Sequence, residues 1–111
     1  MKRDYKLYLR DIKDCIKQIE SYLQDISEQD FSKNIMLQDA VIRRLEIIGE
    51  ASSNVPRSLK EKNNHVPWFK MINYRNFIAH SYFEASLSRV WVTATKEIKE
   101  IKEAMKNISL V

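Results

Sequence analysis

The 111 residues, 44% apolar and 31% charged, suffice for one hydrophobic core and exclude a disordered tail. One Gly and two Pro leave too little turn chemistry for the hairpins of an all-β sandwich or barrel, while Leu, Ile, Lys, Glu, Ala and Met are abundant, so residues 1–111 are expected to form a single all-α domain. The single Cys cannot form an internal disulfide, and one Cys with two His is too few for a self-contained zinc site; a cytoplasmic, metal-free chain is expected.

No apolar run approaches the roughly 18 residues that span a bilayer, and the opening Met1-Lys2-Arg3-Asp4-Tyr5-Lys6 leads into an amphipathic pattern rather than a signal-peptide core. No membrane partner is expected. Charge is unevenly spread: residues 1–55 hold nine basic and ten acidic side chains, residues 56–111 ten basic and five acidic. Between Pro56 and His80 there are five Lys/Arg and one Glu, a weak bias toward a polyanionic partner.

Tyr5, Tyr8, Leu9, Ile12, Cys15, Ile16, Ile19, Tyr22, Leu23 and Ile26 recur at the spacing of one helical face and predict a long first helix. A break is expected near Ser27 to Ser32. A second series, Met36, Leu37, Ala40, Val41, Leu45, Ile48, Ala51 and Ser52, ends before Pro56, because the residue preceding a proline disfavours helical dihedrals. Gly49, the only glycine, falls inside this helix at a cost of about 1 kcal/mol relative to Ala, so it is read as a helix-crossing point.

Arg57 to Asn64 allows one or two helical turns, and Pro67 is expected to open a helix carrying Trp68, Met71, Ile72, Arg75, Ile78 and Ala79. The last helix should begin near Ser86 and repeat Leu87, Val90, Trp91, Ala94, Ile98, Ile101, Met105 and Ile108, a near-heptad seam that serves as core or as a dimer surface. An antiparallel bundle of four to five helices follows.

Arg75-Asn76-Phe77-Ile78-Ala79-His80-Ser81-Tyr82 places a guanidinium, a carboxamide, an imidazole, a hydroxyl and a phenol in an otherwise apolar stretch. In an unbroken helix Asn76 and His80 share a face, so the amide could set the imidazole tautomer. Arg75 lies about 140° round the axis from His80, so the two converge only if the helix ends or bends near His80, or if a second copy faces the first. Arg and His without metal ligands suit RNA phosphodiester cleavage. Imidazole moves protons near neutral pH, guanidinium grips phosphate oxygens, and the substrate 2′-OH supplies the nucleophile, so DNA would not be cut.

The same residues fit the Arg-x-x-x-x-His-x-Tyr pattern of HepT-like toxins, and the chain resembles that branch of the HEPN superfamily (higher eukaryotes and prokaryotes nucleotide-binding) from about Arg3 to Ile108. Asp39 to Ala51 resembles the family's preceding helix with its Ile-Gly-Glu-Ala signature, Pro67-Trp68 leading to Arg75-Asn76 resembles its lead-in, and Val90-Trp91 is similarly placed. The resemblance implies a HEPN-like homodimer with catalytic Arg75 and His80, Asn76 in support, and RNA cleavage without metal or other cofactor. It further implies a type VII-like toxin-antitoxin system in which an MntA-like nucleotidyltransferase uses ATP and magnesium to adenylylate Tyr82, blocking RNA by bulk and like charge. The chain departs from the pattern at Tyr74, where a small or slender residue is usual, which questions the width of the cleft.

Plainer roles stand beside these. Arg75 could pair with Glu46 or Glu50 across the bundle. His65 reads as solvent-exposed, Cys15 as a small core residue, Trp68 and Trp91 as packing anchors, and Lys96 to Lys106 as a solvated face. The competing function is a non-catalytic helical module that binds a nucleotide or the nucleotidyltransferase. A DNA-binding helix-turn-helix is disfavoured, since no short Gly-containing turn precedes a basic recognition helix.

Overall fold

Asp4 accepts a hydrogen bond from the Lys6 backbone N–H at 3.0 Å and opens α1, Tyr5–Leu23, whose buried face is Leu9, Ile12, Cys15, Ile16 and Ile19. The computed structural model describes residues 4–77 and 84–108. α1 ends three residues before the apolar series does: Asp25 turns into the left-handed region at φ 60°, and Ile26 returns to the core from outside the helix.

The expected break at Ser27 to Ser32 is instead mostly a short helix, α2, Glu28–Lys33. The Ser27 hydroxyl accepts from Asp30 N–H at 3.0 Å, Glu28 and Asp30 occupy the first turn, and Lys33 the last, so capping and dipole carry it. Only Phe31 of α2 is buried, and a single apolar residue leaves no period to read. Asn34 closes α2 and caps α3, Ile35–Ser53, by accepting from Leu37 N–H at 3.0 Å. Val41, Leu45, Ile48, Ala51 and Ser52 are buried as predicted; Met36, placed on the same face, is 83% exposed.

α4, Arg57–Lys62, follows Pro56. Pro67 sits just outside α5, Trp68–Ile72, which passes directly into a 3-10 turn, Asn73–Asn76. A final helical rod runs without interruption from Glu84 to Met105, as α6 (Glu84–Val92), a π-helical segment (Thr93–Glu97) and α7 (Ile98–Met105). Every regular element among the described residues is helical.

Cross-links give the directions. Arg44 reaches Gln18 at 3.0 Å and Leu37 shares a groove with Tyr22, so α1 and α3 are antiparallel. Lys13 Nζ donates to Ile108 O at 3.0 Å and Lys102 to Glu20 at 3.1 Å, so α1 also runs antiparallel to the last rod. The near-heptad seam is core: Val90, Ala94, Ile98, Ile101, Met105 and Ile108 are buried within the chain. Its two consecutive four-residue steps, Val90 to Ala94 to Ile98, coincide with the π segment, whose wider turn absorbs them.

Thr93, the first residue of that segment, is fully buried, and its hydroxyl has no hydrogen-bond partner among the described residues. Thr93→Val keeps the branched shape and removes the desolvated hydroxyl, so it is expected to stabilise the fold by about 1 kcal/mol, read as a higher urea midpoint at unchanged slope.

Candidate functional site

Arg75 is positioned by its backbone before its side chain. α5 and the 3-10 turn pack on α3, and the contact point is Gly49: a methyl group there would lie 2.9 Å from Arg75 N, 3.1 Å from Ile72 O and 3.2 Å from Arg75 Cβ. The predicted helix crossing is therefore the seat of the candidate catalytic arginine. Glycine is required for the close approach of two backbones.

The 3-10 turn then sorts the side chains. At three residues per turn, one position faces inward and the next two face out; Tyr74 is 2% exposed, while Arg75 and Asn76 are exposed. Phe77, three residues on, returns over Tyr74, and the rings stack with centroids 5.7 Å apart and planes at 15°. The tightening corrects the expectation of one α-helix from Pro67 through Ala79: α5 is only five residues long, and the geometry changes at Asn73, ahead of the expected bend near His80.

Tyr74 does not narrow a cleft. Its phenol points into the core and donates to Glu97 Oε1 at 2.9 Å. Burial first, then the Glu97 carboxylate, push the phenol well above its ordinary range, so it remains a donor. Glu97 ends the π segment and was not anticipated as a partner; the departure at Tyr74 was the only sequence signal pointing there.

The Arg75 guanidinium is not taken up by either suggested carboxylate. Glu46 pairs with Arg43, one turn earlier on α3, and Glu50 is exposed and makes no ion pair with Arg75. Exposed and free of a carboxylate partner among the described residues, the Arg75 side chain can receive an anion. Ile78, Ala79, His80 and Tyr82 lie outside the described residues, as does the predicted Asn76–His80 pairing.

The other singled-out residues are structural. Cys15 is buried, and burial raises its thiol. Trp68 donates from Nε1 to Asn63 O at 3.1 Å, and Trp91 packs on Phe31 with centroids 5.4 Å apart. His65 is exposed yet tied: its Nε2 lies 2.9 Å from Ala104 O, which can only accept, so that nitrogen carries the proton. A cavity of about 650 Å³ between α2 and α6 is lined by Glu28, Gln29, Phe31, Ser32, Leu87 and Ser88, which among the described residues bring one acidic side chain and no cation to it. Among the described residues, no three His, Cys, Asp or Glu side chains gather as for a metal ion, and no helix is long and apolar enough to cross a membrane.

Comparison with known proteins decides the family. The model of the ribonuclease HepT-like family matches residues 12–108. The chain belongs to the HepT-like ribonuclease family. Its helical bundle is thus HEPN-like, as the motif resemblance implied. The chain is 43% identical over 108 residues to a Methanocaldococcus jannaschii protein named gamma-glutamylcyclotransferase and putative RNase. That match covers 97% of this chain and 49% of the relative, so the chain spans about half that protein's length. It is 40% identical over 102 residues to a probable ribonuclease HepT of Thermococcus cleftensis, covering 92% of this chain and 93% of that one. A putative RNase of Caldanaerobacter subterraneus subsp. tengcongensis is 40% identical over 86 residues, 78% of this chain and 77% of its own. No solved structure matches this HepT-like chain.

Proposed function

We propose that this HepT-like chain is a metal-independent endoribonuclease, the toxin of a type VII-like toxin-antitoxin pair acting in the cytoplasm. The observation that carries the reading is the exposed Arg75 guanidinium, without a carboxylate partner among the described residues, on a backbone seated against Gly49. A cation presented in this way suits a phosphate, and the basic excess of the second half of the chain favours the approach of a polyanion.

In the proposed reaction two copies of the chain form a homodimer whose Arg75 and His80 groups share one cleft. The substrate 2′-OH attacks the adjacent phosphorus, the bond to the 5′-oxygen breaks, and a cyclic phosphate and a free 5′-OH result. His80 serves in proton transfer, Arg75 holds the non-bridging oxygens as charge builds, and Asn76 orients the pair. An MntA-like nucleotidyltransferase, consuming ATP with magnesium, silences the enzyme by adenylylating Tyr82, which adds negative charge where RNA phosphate must bind.

Purified protein is expected to cleave RNA in excess EDTA and to leave a strand with 2′-deoxy at the scissile position intact. Co-expressed with the nucleotidyltransferase, its intact mass should rise by whole AMP units, and Tyr82→Phe should abolish the rise. Absence of RNA cleavage would favour the non-catalytic binding module; an unchanged wild-type mass under active co-expression would remove the regulatory half.

A further inference from the structure

We infer that Tyr74 and Glu97 are positioning residues for Arg75, holding its turn at a second point besides Gly49; the inference rests on the nuclease reading above. Three observations meet at this point. The Arg75 backbone is pressed on Gly49, with no room for a methyl group between them. The residue before it is buried and bonded at 2.9 Å to Glu97, on a different part of the bundle. The stacking of Phe77 on Tyr74 registers the turn one step further along.

A buried phenol must find an acceptor, so the hydrogen bond sets how deep the Tyr74 ring sits. Ring depth in turn sets the rotation of a 3-10 turn that has one inward position in three, and with it the direction in which Arg75 leaves the surface. The π-helical segment is the other half of the device. Its wide turn ends at Glu97, between exposed Lys96 and buried Ile98, and leaves the carboxylate on the side that meets Tyr74.

Misplacing a substrate-gripping group by an ångström can cost about 100-fold in rate, so loosening this clamp should lower kcat more than it weakens RNA binding. Tyr74→Phe keeps the ring and its stacking but loses the hydrogen bond; Glu97→Ala loses the acceptor; Glu97→Gln keeps a carbonyl oxygen in its place. Steady-state RNA cleavage is to be measured on all three full-length variants, below the thermal transition of each. Tyr74→Phe and Glu97→Ala are expected to lower kcat by about ten-fold with KM within about two-fold, and Glu97→Gln to remain within about three-fold of wild type. A kcat for Tyr74→Phe and Glu97→Ala equal to that of a cleaving wild type, whatever their melting temperatures, would overturn the positioning role. A wild type that does not cleave RNA would overturn the nuclease reading itself. Glu97 is only half-buried, so truncating it tests the clamp even if Tyr74→Phe fails to fold.

Discussion

Arg75→Ala is expected to remove RNA cleavage, by about 100- to 1,000-fold in kcat, while leaving the fold intact. Both halves follow from the same geometry. The side chain is exposed and makes no ion pair with Glu46 or Glu50, so the folded state loses almost nothing and the urea midpoint should move by less than about 0.5 kcal/mol equivalent. The reaction loses the group that meets charge building on the phosphate. Arg75→Lys should recover only part of the rate, since an ammonium is a point charge and cannot form the two parallel bonds of a guanidinium. His80→Ala should fall by about 100- to 10,000-fold on the general acid-base argument. Rates near wild type for both alanine variants would end the nuclease assignment; loss of rate with loss of fold would make Arg75 a structural residue.

Gly49→Ala has the second large effect, and its sign is contrary to helix propensity. In a solvent-exposed helix interior this substitution would stabilise by about 1 kcal/mol. Here the new methyl group would meet Arg75 N at 2.9 Å and Ile72 O at 3.1 Å, both backbone atoms that cannot swing aside. α3 and the 3-10 turn must separate. Overpacking of this kind typically costs about 1–3 kcal/mol, which outweighs the propensity gain, and the displaced segment carries Arg75 with it. A lower urea midpoint together with a reduced kcat is expected; a stabilised variant with full activity would show that the crossing has slack.

The resemblance to HepT-like ribonucleases rests on the Arg75, His80 and Tyr82 motif together with Ile48-Gly49-Glu50-Ala51, Pro67-Trp68, Asn76 and Val90-Trp91, and the family match over residues 12–108 supports it. Parts of the site were legible because they depend on residue type alone, as with the Gly49 crossing and an arginine followed by an amide. The Arg75 pairing with Glu46 or Glu50 was plausible from helix faces alone, yet Glu46 already has Arg43 one turn away. Tyr74 is visible in the sequence as a departure, but its inward direction is not, because the 3-10 turn that rotates it has no apolar period of its own.

The chain's own residues determine an all-helical bundle, the buried faces of α1, α3 and the last rod, and the chemical inventory between Arg75 and Tyr82. These follow from spacing at three and four residues, which acts within one element. Tertiary structure decided the rest: that α5 tightens at Asn73, and that Tyr74 turns inward to find Glu97 at the end of a π-helical segment. Each of those outcomes depends on what another element places opposite, and a close backbone approach or a buried hydrogen-bond partner leaves no period along the chain.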